Sequence, residues 1–267
     1  MQISCLNVIN KMRVDVFLSE FGYSKSRSQS QRMIESGAVF VDGLQIKKSS
    51  EEIDSEISHS VEILKTEKYV SRGGLKLEGA LERFKIDVEG LDAIDIGAST
   101  GGFTDCLLKR NVKSVVAVDS GVGQLDASIA NDKRVTNIEK YNARELSLDI
   151  IPSGADIAVM DVSFISQTLI IPNISGILRE NGLLVSLIKP QFEAGRGAIG
   201  KGGIVKDEKS RFYSIVRVRD SASASGLYML DLMRSTITGG DGNVEYLAVF
   251  SKSGCPLTDV EIKKRMR

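Results

Sequence analysis

The sequence predicts an α/β fold: a mostly parallel β-sheet covered by helices, preceded by a small α+β unit. Three observations predict it. From residue 91 onward, uncharged apolar runs of strand length alternate with helix-length segments, as in a parallel sheet buried on both faces. The run Asp95-Ile96-Gly97-Ala98-Ser99-Thr100-Gly101-Gly102-Phe103-Thr104-Asp105 sets a glycine-rich turn between the first of these strands and a helix. Near the start, two short helical segments lead into a hairpin centred on Asp42-Gly43.

The elements follow in order. Val14, Phe17, Leu18 and Phe21 recur at helical spacing, and Gly22-Tyr23-Ser24 breaks that helix. Ser24 or Ser26 caps a second helix running to Ser36, which Gly37 ends. Hairpin strands over 38–41 and 44–46 flank Asp42-Gly43, and 61–64 adds a strand. This first domain is expected over 12–64, with a polar linker at 65–70. A helix from Leu75 carries Leu77, Ala80, Leu81 and Phe84 on one face. Strands are expected at 93–96, 114–118, 136–138, 157–160 and 183–188. Two later strands, 228–234 and 245–250, complete the sheet, the last by antiparallel insertion. The second domain is expected over 71–252, with a carboxyl-terminal tail at 253–267.

Composition narrows the class. The 267 residues leave room for one large domain and one small one. With 35 basic and 35 acidic residues the formal net charge is zero, so any basic surface is local. Cys5, Cys106 and Cys255 lack metal-ligand spacing and fit a reducing cytoplasm. No apolar run approaches the ~18 residues of a membrane-spanning helix, and the start lacks a secretory pattern, so a cytoplasmic protein is expected. Met12-Arg13-Val14-Asp15 resembles a natural start, which makes residues 1–11 an expected upstream extension. The single His59 leaves no multi-histidine metal site and no catalytic triad without it. Among Ser58, Ser60 and acidic neighbours, it is expected on an exposed loop in a structural role.

Glycines at 97, 101 and 102 do not follow the dinucleotide spacing G-x-G-x-x-G. Asp95 would repel a pyrophosphate and attract a sulfonium cation, so the turn favours S-adenosylmethionine over NAD. Candidate cofactor contacts are Asp95, Gly97, Ala98, Ser99, Gly101, Gly102 and Phe103. Asp119 ends the second strand, where an acid binds ribose hydroxyls. Asn142 is a candidate adenine contact, although a helix start explains it equally well.

Asp161 and Lys189 each follow an apolar strand, at the carboxyl edge where open α/β sheets hold ligands. An ammonium there needs a partner, and Asp161 can supply one, in a catalytic or a purely structural ion pair. The segment 189–211 holds six basic and three acidic residues among five glycines, with Arg196 and Lys201 in its loop. Such a loop suits a phosphate backbone or is simply solvated. Glu245 opens the last strand and matters if that strand lies beside the one ending at Lys189.

These motifs carry a resemblance. The second domain resembles the FtsJ-like, S-adenosylmethionine-dependent RNA 2′-O-methyltransferases, a Rossmann-like sheet with an antiparallel last strand. The first resembles the S4 RNA-binding domain, through Arg13, Asp15, Arg27, Gly37, Val39, Val41, Asp42 and Gly43. The runs Tyr69-Val70-Ser71-Arg72-Gly73, Asp161-Val162-Ser163-Phe164-Ile165-Ser166 and Ile188-Lys189-Pro190-Gln191-Phe192-Glu193 are similar to the TlyA (haemolysin A) family. The resemblance covers residues 13 to about 251. It carries over a Lys-Asp-Lys-Glu tetrad as Lys76, Asp161, Lys189 and Glu245, although Gly73-Gly74 departs from the common pattern just before Lys76. It implies Lys189 as base or hydroxyl activator, Lys76 as its cationic neighbour and substrate positioner, and the two acids as orienting groups. It implies ribosomal RNA as partner, a cytidine ribose as target, the large subunit favoured, and a monomer without metal. Candidate RNA contacts are Arg13, Lys25, Arg27 and Arg32 in the first domain and Arg72, Arg196 and Lys201 in the second. Three other readings stand beside this one: a pore-forming haemolysin, a nonenzymatic ribosome-assembly factor, and a methyltransferase acting on a base or protein.

Overall fold

The computed structural model describes residues 10–267 except 25, 36, 65–67, 201 and 240–241. The described chain forms two compact units, divided between Lys68 and Tyr69.

In the first unit, β1 (Lys11–Arg13) leads into α1 (Val14–Glu20), which packs against α2 (Arg27–Glu35). Ser26 Oγ accepts the Gln29 N–H at 3.3 Å, so Ser26 caps α2. The hairpin of β2 (Val39–Val41) and β3 (Leu44–Gln45) turns at Asp42 and Gly43, whose φ values of 51° and 77° suit a two-residue turn. β4 (Glu52–Asp54) pairs antiparallel with β1, Met12 opposite Ile53. Runs of three residues show no periodicity, which is why these two strands are silent in the sequence. β5 (Val61–Ile63) joins the free edge of β2, giving the order β3-β2-β5. Val14, Phe17, Leu18, Met33, Ile34 and Val39 form the core. Phe21 closes α1 instead of joining that core; it is half exposed, its ring stacked 4.4 Å from Phe17.

His59 lies on a loop and makes structural contacts, but its side chain is not exposed as expected. Its side chain is 6 % exposed, with Nδ1 2.7 Å from Asp42 Oδ2 and Nε2 2.7 Å from Asp54 O. Two acceptors on opposite sides draw the ring inward and tie the hairpin turn to β4. Of the expected extension, residues 1–9 lie outside the described residues, whereas Lys11 belongs to β1.

The second unit starts with α3 (Gly73–Phe84) and then alternates. In order come β6 (Asp92–Ile96), α4 (Gly102–Lys109), β7 (Ser114–Val118), α5 (Ala127–Ala130), β8 (Val135–Ile138) and β9 (Ala155–Met160). They are followed by α6 (Ile171–Ile177), β10 (Leu178–Ile188), α7 (Pro190–Glu193), α8 (Glu208–Ala224), β11 (Tyr228–Arg234), β12 (Tyr246–Ser251) and α9 (Asp259–Arg265). The sheet order is β11-β12-β10-β9-β6-β7-β8, with β12 inserted antiparallel between β10 and β11. Ile188 pairs with Tyr246, so Lys189 and Glu245 leave the sheet at the same level.

Alternate strand residues face opposite layers. Ile94, Ile96, Ala158 and Met160 pack with Ile171, Ile215 and Ile262 of α6, α8 and α9. Ala93, Ile157, Val159 and Leu187 pack with Leu77, Leu81 and Leu107 of α3 and α4. Burial on both faces accounts for the apolar strand interiors, with Asp95 of β6 as a buried exception.

Two expected domain boundaries differ. Tyr69, assigned to the linker, is buried in the second unit's core, and Val70 N–H donates to Asp105 Oδ2 at 2.9 Å. Residues 253–267 fold rather than trail: Thr258 and Glu261 form a capping box on α9, and Ile262 and Met266 enter the core. Asp207 caps α8, accepting the Ser210 N–H at 2.8 Å, so Lys209 and Arg211, at the end of the basic segment, sit on the first turn of that helix.

Candidate active site

The turn after β6 begins at Gly97, whose φ is +83°. Gly97 and Ala98 donate their N–H groups to Val118 O at 2.9 and 3.1 Å, crossing to the end of β7. A Cβ on Gly97 would lie 2.4 Å from Asp161 O, so only glycine lets the turn pass this close to β9. Ser99, at φ +47°, donates its N–H to Asp119 Oδ2 at 2.8 Å. Asp119 Oδ1 accepts the Gly121 N–H at 2.7 Å. The Asp119 carboxylate therefore braces the turn and keeps further lone pairs for a ligand.

Asp95 sits elsewhere than expected. It is fully buried, and Oδ2 accepts from Thr104 Oγ1 of α4 at 2.6 Å. It shares strand parity with Ala93, which turns its side chain toward the α3–α4 layer, and it lines neither cavity described below. Burial pushes its carboxyl up to about 7. Its observed contact joins β6 to α4.

Two adjoining cavities open at the carboxyl edge of the sheet and share Gly97, Ser99, Asp161 and Ser163 as walls. The larger, about 520 Å³, is completed by Asp119, Gln124, Tyr141, Asn142, Val162 and Phe164. The smaller, about 200 Å³, is completed by Ser71, Lys76, Ala98, Gly102, Phe103 and Lys189 among others. Gly101 lies just outside, capping α4 at φ +92°. Asn142 both lines the larger cavity and caps a short 3₁₀ turn, accepting the Arg144 N–H at 3.1 Å.

Lys76 reaches the smaller cavity from α3, and its Nζ donates to Glu245 Oε2 at 2.5 Å. Lys189 Nζ lies 2.6 Å from Asp161 Oδ1 and donates a hydrogen bond to Ser163 Oγ at 2.8 Å. Lys76, Asp161 and Lys189 all line this cavity; Glu245, 3 % exposed, meets it through Lys76. Each ammonium has its own carboxylate, so the site offers several oriented N–H donors with its formal charges paired.

Ser163 and Phe164 are site residues that the sequence analysis does not single out individually. Phe164 stands 93 % exposed at the mouth of the larger cavity, at φ +63°, its ring 5.1 Å from that of Phe192. Both residues lie in runs already singled out, next to Asp161 and Lys189; an exposed apolar ring at a strand end was the available signal.

The candidate RNA contacts fall in both units. In the first, the fully buried Asp15 accepts from Arg13 Nε and Nη2 at 3.0 Å each, from Arg27 Nε at 2.9 Å and from Gln31 Nε2 at 2.7 Å. These donors hold the Asp15 carboxyl far below the usual carboxylate range, Arg13 first. Both guanidinium groups remain partly exposed. In the second unit, the exposed Arg72 donates to Thr238 O at 2.6 Å. Lys25 and Lys201, and the side chains of Arg32 and Arg196, lie outside the described residues.

No helix among the described residues is long and apolar enough to cross a membrane. The profile of the FtsJ-like methyltransferase family matches residues 69–252, and that of the S4 domain matches residues 12–56. The Brachyspira hyodysenteriae protein named Hemolysin A is 43% identical over 243 residues, covering 90% of this chain and 99% of its own. The Mycobacterium tuberculosis protein named 16S/23S rRNA (cytidine-2′-O)-methyltransferase TlyA is 41% identical over 236 residues, 88% of each chain. A solved structure of a Streptococcus thermophilus protein described as "Putative hemolysin" matches with a TM-score of 0.74 at 41% identity, covering 96% of this chain and 94% of that one. A strand order with an antiparallel insertion, a glycine turn at the sheet's carboxyl edge and matches of this extent converge: the chain belongs to the FtsJ-like methyltransferase family, among the S4-bearing TlyA (haemolysin A) proteins.

Proposed function

We propose that the protein transfers a methyl group from S-adenosylmethionine to a ribose 2′-hydroxyl of ribosomal RNA, at a cytidine, in the cytoplasm, with the large subunit as target. One observation carries the reading: Lys76, Asp161 and Lys189 converge on a cavity beside the Gly97 turn. The printed names of the relatives support the substrate class.

The walls fit the cofactor. Gly97 lines both cavities and, lacking a side chain, exposes its backbone there to a ligand. Asp119 stands at the end of the second parallel strand of this sheet, where ribose hydroxyls are held, with Asn142 farther along the same cavity. Asp161 borders both cavities and would face the positive centre between them. When bound, the cofactor supplies an electrophilic methyl group on a sulfonium.

The chain's own residues do the rest. A 2′-hydroxyl is a weak acid, and its attack requires deprotonation or polarisation at the oxygen. Lys189 activates that hydroxyl and Lys76 orients it, while Asp161 and Glu245 fix the two ammonium groups. Alignment of the attacking oxygen with the methyl carbon accounts for most of the remaining acceleration. In the first unit, Arg13 and Arg27, both held by Asp15, bind the phosphates of a structured RNA.

Mass spectrometry of ribosomal RNA from wild-type and deletion strains tests the reading. A 2′-O-methylcytidine should disappear on deletion; an unchanged 2′-O-methylation pattern refutes it.

A further inference from the structure

The loop 161–167 is pinned at both ends to the segment that starts at Lys189. At the near end, Lys189 Nζ reaches Asp161 Oδ1 at 2.6 Å and Ser163 Oγ at 2.8 Å. At the far end the pin is Glu193, the last residue of α7, 2 % exposed. Its Oε2 accepts from Ser166 Oγ at 2.6 Å, and its Oε1 accepts the Gln167 N–H at 2.8 Å.

Gln167, 1 % exposed, carries the connection into β10. Its Nε2 donates to Leu187 O at 2.6 Å, and its Oε1 accepts from Ser186 Oγ at 2.7 Å. The Glu193 backbone is held too, since Arg217 of α8 donates to its carbonyl at 3.0 Å. A buried carboxylate is costly unless its lone pairs are satisfied. Burial raises the Glu193 pKa, and the Ser166 and Gln167 donors oppose that rise.

Glu193 lines neither cavity, so it does not meet substrate or cofactor there. Yet it is one turn from Lys189, and Ser166 is three positions from Ser163. Slack at the Glu193 end therefore passes to the lysine.

We infer that Glu193 is a positioning residue: by clamping Ser166 and Gln167, it sets where Asp161 and Ser163 meet Lys189. The inference rests on Lys189 as the hydroxyl activator.

The full-length variants Glu193→Ala, Glu193→Gln, Ser166→Ala and Lys189→Ala test it. Each is assayed with radiolabelled S-adenosylmethionine and ribosomal subunits from a strain lacking this gene, and kcat, its pH profile, the RNA KM and thermal unfolding are read. Glu193→Ala should lower kcat about 10- to 100-fold with little change in KM, the cost of a misplaced reacting group. Its pH profile should shift, which a merely structural role would not produce. Glu193→Gln retains an acceptor oxygen and should recover most of the loss. Ser166→Ala removes one clamp bond, should lose less in the same direction, and decides the matter if Glu193→Ala does not fold. Wild-type kcat and pH profile in the folded clamp variants, with Lys189→Ala inactive, overturn this inference alone. Full activity in Lys189→Ala overturns the Lys189 assignment, and the inference with it.

Discussion

Lys76 Nζ lies 2.5 Å from Glu245 Oε2, an ion pair that joins α3 to the start of β12 across 169 residues of sequence, with both partners buried. Removing one partner leaves the other charge buried and unpaired. Lys76→Met alone should cost about 3 kcal/mol of stability. The double variant Lys76→Met/Glu245→Leu should recover most of that loss and remain inactive in methyl transfer. Denaturant unfolding and methyl transfer, measured on the same preparations, separate the two roles. Equal destabilisation in single and double variants would show that the pair is not the cause.

Gly97 tests the turn. Alanine there requires a positive φ and places its Cβ 2.4 Å from Asp161 O, so the turn or β9 must shift. Gly97→Ala should destabilise the protein by about 2 kcal/mol or more and weaken S-adenosylmethionine binding, read by calorimetry. Gly176→Ala is the control. Nothing lies within 4 Å of its added Cβ, it sits in α6, and helix propensity predicts a gain of up to ~1 kcal/mol. Unchanged cofactor affinity in Gly97→Ala would remove the turn from the binding site.

Much of this architecture was legible in the sequence because each feature had a local cause. Asp42-Gly43 announced a hairpin, uncharged runs announced a sheet buried on both faces, and strand-ending Asp161 and Lys189 announced the carboxyl edge. What stayed hidden depends on long-range contact. Asp95 reads as a ligand-facing acid until strand parity turns it toward Thr104. His59 reads as an exposed loop residue until Asp42 and the Asp54 carbonyl converge on its ring. The terminal residues read as a tail until Ile262 finds the core. Glu193 ends the run Ile188-Lys189-Pro190-Gln191-Phe192-Glu193, but its partners lie 26 and 27 residues away.

His59 predicts a pH dependence in the first unit. Nδ1 faces a carboxylate and Nε2 a carbonyl, so both nitrogens donate only in the imidazolium. The Asp42 contact, then the Asp54 carbonyl, raises its pKa above the usual 6.5. The stabilisation is therefore fully present below 6.5 and is lost as pH rises through the raised folded value. His59 is the only histidine, so imidazole NMR resolves its titration without assignment. A midpoint below 6.5 in the folded protein contradicts the clamp.

Arg27 predicts a salt dependence. Its Nε is held by Asp15 at 2.9 Å while half of its side chain stays exposed. Arg27→Ala should weaken binding to ribosomal RNA and reduce the slope of log affinity against log salt by about 1. S-adenosylmethionine affinity should not change. An unaltered slope would place the phosphate contact elsewhere.

The most direct test of the account is nucleoside mass spectrometry of ribosomal RNA from unmodified subunits treated with purified protein and S-adenosylmethionine, with Lys189→Ala in parallel. The wild-type protein should produce 2′-O-methylcytidine, and Lys189→Ala should produce little while binding the cofactor as tightly. A base-methylated nucleoside as the product, or wild-type yield from Lys189→Ala, would contradict it.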